Sequence, residues 1–136
     1  MSRYYSNIIE LIGNTPLLKL PLKNQQGCLF LKLEKWNPGQ SMKDRMALSI
    51  VEGAVRKGLL KPGGTIIESS SGNTAVGLAI IAASRGYKFI AVMDHHATKE
   101  KIDIIKAYGG QIRFVGTGLP ADRVAVKERE AMARQL

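Results

Sequence analysis

The chain has 136 residues, a formal charge of +9, 45% hydrophobic and 23% charged residues, and a single cysteine. That length supports one domain with a sizeable core; no apolar run approaches the ~20 residues of a membrane-spanning helix, and the lone Cys28 excludes an intrachain disulfide or a cysteine-based zinc cluster. The basic residues are spread along the chain beside acids, as in "KEKIDIIKAYGG", not gathered in a tract with interleaved aromatics, so nucleic acid is a disfavoured partner and small anions remain open.

The opening "MSRYYSNIIELIGNTP" has a short apolar segment broken by Glu10, unlike the core of a secretory signal. A reducing cytoplasm is the expected setting. An amphipathic turn leads through the Gly-Asn-Thr-Pro turn signal into a short strand, "LLKL", and "CLFLKLE" follows as a second strand able to pair with it. Cys28 is expected there as a small core hydrophobe. Ser41 can cap a helix over about residues 42–57, in which Met42, Met46, Ile50 and Ala54 recur every fourth residue as an apolar stripe. "KPGG" then forms a turn.

From residue 65 the pattern alternates: "TIIES" strand, "TAVGLAIIAASR" helix, "FIAVMD" strand, "KEKIDIIKAY" helix, "QIRFVG" strand, "ADRVAVKEREAMARQL" helix. Such βαβ repetition, with strands lacking clean alternation, predicts an α/β three-layer sandwich around a parallel sheet covered on both faces. Right-handed crossovers bring the strand-to-helix loops together at the carboxyl ends of the strands, where ligands of open α/β sheets bind.

One of those loops, "ESSSGNTAVGLA" at 68–79, suits an anion. Free N–H groups and the positive end of a helix converge there, and Ser70, Ser71, Asn73 and Thr74 add side-chain donors. Gly72 permits positive φ or a close ligand approach. The same residues also serve as a plain N-cap. Elsewhere "PGG" at 62–64 is a turn and "YGGQ" a helix C-cap; "VGTGLP" does not complete G-x-G-x-x-G and no P-loop is present. His95 and His96 are adjacent with no matching third ligand, so they are expected as solvated loop histidines, with no metal site.

"NPGQSMKDR", followed by "ESSSGNTAVGLA" and preceded by "IGNTPLLKL", resembles the cysteine synthase and cystathionine β-synthase family of fold-type II pyridoxal-phosphate enzymes, and the similarity extends through "KIDIIKAYGGQI". The resemblance implies a fold like that of the tryptophan synthase β-subunit, with pyridoxal 5′-phosphate as cofactor and a small amino acid as substrate. It implies Lys43 as the Schiff-base lysine and catalytic acid/base. Ser70, Ser71, Gly72, Asn73 and Thr74 would clasp the substrate carboxylate, with Asn73 also reaching the cofactor's 3′-hydroxyl. The implied reaction is β-replacement on a serine-derived amino acid, O-acetylserine or O-phosphoserine, in a cytoplasmic enzyme that is a homodimer in its full-length form.

Family members continue into a second domain that supplies the cradle for the cofactor phosphate and the partner of the pyridine nitrogen, and neither motif is found here. The chain therefore matches the N-terminal part only. Residues 1–40 would be strands that pack with the second domain, and residues 41–136 the α/β domain. Typical cysteine synthases carry proline after the methionine of the second parallel strand and Met-Ser further on, where this chain has Asp94, Ala97 and Thr98. That variation is closer to the 2,3-diaminopropionate-pathway enzymes joining phosphoserine to glutamate. A truncated, non-catalytic remnant is the other reading.

Overall fold

In a computed structural model of the chain, which describes residues 4–23, 27–116 and 123–136, the opening turn is a short 3₁₀ helix, Ile8–Leu11, capped by the Asn7 side chain accepting from the Ile9 N–H at 2.9 Å. Gly13 and Asn14 then take positive φ, 90° and 47°, a conformation to which glycine and asparagine are best suited. Two strands follow, β1 (Leu17–Leu20) and β2 (Leu29–Lys32), paired antiparallel with Leu17 opposite Lys32. They form a sheet of their own. Among the described residues nothing layers over it, so Leu17, Leu18, Leu29, Phe30 and Leu31 are exposed. Cys28 is exposed with them and is not the core residue expected.

Helix α1 (Lys43–Arg56) begins one residue later than the spacing predicts, and the Ser41 hydroxyl accepts from the Lys43 N–H at 3.1 Å in the capping role. Its inward face is another correction. Ala47 and Val51 are buried, whereas Met42, Met46 and Ile50 of the predicted stripe are exposed. The four-residue recurrence was real but α1 carries apolar residues on both sides, and periodicity alone cannot choose between them; the close approach of the next helix does.

The parallel sheet contains β3 (Thr65–Ser69), β4 (Lys88–Met93) and β5 (Gln111–Phe114) in the order β3-β4-β5. Helices α2 (Asn73–Arg85) and α3 (Lys99–Ala107) connect them, and α4 (Val126–Gln135) follows. Residues 121 and 122 of the predicted last helix lie outside the described residues. Phe89, Ala91 and Met93 of β4 join α1, α2 and α3 in the main core, while Val92 faces a second cluster with Ala125, Ile67 and Met132. Alternate residues of one strand thus bury on opposite faces, and α4, packed on β3 and β4, covers the face away from α2. This is the three-layer sandwich with a parallel sheet. The "YGGQ" turn ends α3 as expected, with Gly109 at φ 79° just after the Tyr108 cap.

α2 is the centre of the fold. Eight consecutive residues, Ala75 to Ala82, are buried, so the helix has no solvent face over two turns and must be apolar all round. At Gly77 an added Cβ would lie 3.1 Å from the Ala47 Cβ and 3.3 Å from the Asp44 Cα; the missing side chain is what allows α1 to lie against α2. No helix among the described residues is long and apolar enough to cross a membrane.

Candidate active site

Two contacts show how α1 and α2 are aligned. Asp44 lies against Gly77, and eight residues on in each helix the Glu52 carboxylate accepts from Arg85 at 2.8 Å. The helices therefore run side by side in the same direction, and their N-termini open at one end, the carboxyl edge of the parallel sheet. Lys43 is the first residue of α1. Asn73 is the first of α2, one turn before Gly77 on the same face. The structure thus brings Lys43 and the 70–74 loop to the same end of one helix pair.

Lys43 is half-buried, and among the described residues its ammonium makes no hydrogen bond or ion pair. A helix N-terminus is the unfavourable end for a cation, and no partner compensates here. This lysine therefore adds nothing evident to stability, unlike its neighbours. Asp44 is buried; one oxygen accepts from the Gly39 N–H at 2.5 Å, and the other has no partner among the described residues. Burial raises its pKa, against the Gly39 hydrogen bond. An added Cβ at Gly39 would stand 2.4 Å from that second oxygen, so the 38–40 turn sits hard against the start of α1.

In the loop, Ser70 Oγ accepts from the Gly72 N–H at 3.2 Å. Gly72 itself is extended, φ −121°, so positive φ is not why glycine stands there, and an added Cβ would meet only Ser70 Oγ, at 3.9 Å. Asn73 and Thr74 carry N–H groups that the helix leaves unpaired, and among the described residues their side chains make no hydrogen bond. Ser71 differs. Its hydroxyl donates to Asp94 Oδ1 at 3.1 Å and accepts from the Asp94 N–H at 3.3 Å and from Arg129 Nη1 at 2.9 Å. One donor and two acceptor sites exhaust a serine hydroxyl. Ser71 thus has only its backbone to offer a ligand, which revises its expected part. His95 and His96 are exposed, as expected, with ring centroids 4.0 Å apart.

Beside Asn73 opens a cleft of about 340 Å³ between the 38–40 turn, α2 and α3, floored by Val76, Ile80 and Ile104. Lys43 does not line it.

Arg45, two residues beyond Lys43, belongs to a network that composition and motif did not signal. Arg45 holds Glu34 with two hydrogen bonds of 2.8 and 3.0 Å; Thr15 donates to Glu34 at 2.7 Å and Asn37 at 3.0 Å. Asn37 in turn accepts from the Gly13 N–H at 2.8 Å. The Arg45 hydrogen bond, with help from Thr15, Asn37 and the Arg45 charge, lowers the Glu34 pKa to about 2 against the small cost of burial. A carboxyl lowered below its unfolded value of about 4.3 adds stability that is complete above that value and is lost as pH falls towards 2. Glu34→Gln is therefore expected to remove part of the acid-dependent loss of stability between about pH 5 and 2, checked by urea unfolding across that range.

A family model described as "Pyridoxal-phosphate dependent enzyme" matches residues 8–136. The chain is 50% identical over 132 residues to a putative cysteine synthase of Sinorhizobium fredii, covering 97% of this chain and 39% of that protein. It is 42% identical over 139 residues to O-ureido-L-serine synthase of Streptomyces lavendulae, covering 96% of this chain and 43% of that protein. Among solved structures, a hydrogen sulfide-producing enzyme of Fusobacterium nucleatum superposes with a TM-score of 0.86 at 35% identity, over 99% of this chain and 43% of that one. The chain therefore spans about two fifths of the length of these relatives.

Proposed function

The chain belongs to the pyridoxal-phosphate dependent enzyme family, and on that premise we propose that it carries the lysine and carboxylate-loop half of a β-replacement site for a serine-derived amino acid, O-acetylserine or O-phosphoserine. The observation that supports this most is the pairing of an uncommitted, half-buried Lys43 with the unpaired donors of Asn73 and Thr74 at one end of α1 and α2.

The cofactor of this family fits these residues: a lysine with no competing partner, and a loop with open space in front of Gly72. When bound, pyridoxal phosphate supplies an aldehyde that condenses with amines and a ring that draws electrons from the amino acid's α-carbon. Lys43 would hold it, and Asn73 would meet its ring hydroxyl. The N–H groups at the start of α2, with the side chains of Ser70, Asn73 and Thr74, bind the substrate carboxylate, where a helix N-terminus favours negative charge. Fixing the carboxylate orients the α-carbon. Lys43 Nζ would take the α-proton as the β-substituent leaves with its bonding pair, and would return a proton to the α-carbon when the incoming nucleophile adds at the β-carbon.

The exposed β1–β2 sheet and the outward Met42, Met46 and Ile50 are apolar surface of the kind a further domain or a second copy covers. We assign residues 1–40 to packing with a second domain and residues 41–136 to the α/β domain, within a cytoplasmic homodimer. A second reading, a synthase of the 2,3-diaminopropionate type joining phosphoserine and glutamate, draws on Asp94, Ala97 and Thr98 in the segment that follows β4. A non-catalytic remnant would show neither chemistry.

The reading is tested by α-proton exchange. The chain with pyridoxal phosphate in D₂O is expected to exchange the α-proton of L-alanine faster than pyridoxal phosphate alone, and Lys43→Ala is expected to abolish the excess. Equal rates for the two proteins would overturn Lys43 as the base.

A further inference from the structure

Asp94, at the end of β4, is fully buried and collects donors from three directions. Oδ1 accepts from Ser71 Oγ and from the His96 N–H, each at 3.1 Å; Oδ2 accepts from the Ala125 N–H at 3.3 Å and lies 3.5 Å from Arg129 Nη1. Arg129 comes from α4, on the opposite face of the sheet from α1 and α2, and its side chain is only 12% exposed. The carboxylate-loop residue Ser71, the turn after β4 and the start of α4 are thereby joined at one buried charge.

A buried ion pair is a poor way to gain stability, since apolar residues of the same volume do as well or better. This one is also imperfect, because Arg129 Nε is buried without a partner among the described residues. Its common point is Ser71 Oγ, which contacts both Asp94 and Arg129. Burial would raise the Asp94 pKa, but the hydrogen bond from His96, the Arg129 charge and the bonds from Ser71 and Ala125 outweigh it and leave the pKa lowered. The group is therefore charged at neutral pH.

We propose that Asp94 and Arg129 are positioning residues that take up the Ser71 hydroxyl and so fix the 70–74 loop, leaving Ser70, Asn73 and Thr74 to meet the ligand carboxylate. The inference rests on the carboxylate reading of that loop. Holding the loop before the ligand arrives lowers the ordering cost of binding. Neither residue touches the substrate.

The test is titration of the ¹⁵N-labelled chain with L-serine, read from the amide shifts of Gly72, Asn73 and Thr74. Ser71→Ala, Asp94→Asn and Arg129→Met are each expected to weaken binding about tenfold, a fold-change typical of one hydrogen bond to a charged group. The Ser71→Ala/Asp94→Asn double variant is expected to lose no more than either single one, since the residues act as one unit, and Arg129→Lys to recover most of the affinity. If Asp94→Asn fails to fold, the Ser71→Ala and Arg129→Met pair forms the same cycle. Additive losses, or wild-type affinity in folded Asp94→Asn and Arg129→Met, would overturn the positioning role while the wild-type response upholds the carboxylate site. A wild-type loop whose amides do not respond to L-serine would overturn the carboxylate site and the proposal together.

Discussion

Gly77→Val is expected to destabilise the fold by about 3 kcal/mol, because repacking is limited by the Asp44 main chain and by the Ala47 Cβ, which no rotamer change can move. An added Cβ alone would stand 3.1 Å from the Ala47 Cβ and 3.3 Å from the Asp44 Cα. The second of these is main chain, so rotamer changes cannot relieve it; α1 must move away from α2. Because Lys43 is the residue before Asp44, the displacement also carries the lysine away from the 70–74 loop. Gly53→Ala supplies the control. Gly53 is within α1, yet an added Cβ meets only the tip of Arg56 at 4.0 Å, and alanine there is expected to stabilise by about 0.5–1 kcal/mol. Urea unfolding of the two variants reads opposite signs.

Leu78→Ala is expected to cost about 2–5 kcal/mol, and Ile50→Ala well under half as much. Leu78 is 1% exposed in the stretch of α2 that is buried on every side, so the structure has little room to collapse into the gap. Ile50 is 51% exposed on the outer side of α1, and truncating it removes little that was out of water. Equal costs for the two would mean that the outer face of α1 is packed in solution. Concentration-dependent unfolding of the wild type would then be expected, because a second copy would supply that packing.

Where a residue's place follows from local chemistry, it was legible. The alternation of helix and strand from residue 65, the Gly109 cap and the loop entering α2 near residue 73 needed only period, capping and turn rules. The inward face of α1 depended instead on a gap at Gly77, thirty-four residues beyond Lys43, and the exposure of Cys28 on a layer the hairpin lacks among the described residues. In the candidate site, Lys43 and the 70–74 loop were readable as motifs, but the engagement of the Ser71 hydroxyl by Asp94 and Arg129 was not. Asp94 stood out as an unusual residue at a strand end. Arg129 gave no signal, lying in a helix of closely mixed charges, "VKEREAMARQ", and only the fold brings it across 58 positions to Ser71 at 2.9 Å.

Lys43 is proposed as the amine that would hold pyridoxal phosphate, and borohydride reduction of the chain mixed with a stoichiometric amount of the cofactor, followed by peptide mapping, identifies that amine. A phosphopyridoxyl group concentrated on the peptide containing Lys43, and lost from that peptide in Lys43→Ala without appearing elsewhere, is the predicted result. Labelling spread over the exposed lysines in proportion to their accessibility, with Lys43 no richer than Lys57 or Lys61, would contradict it.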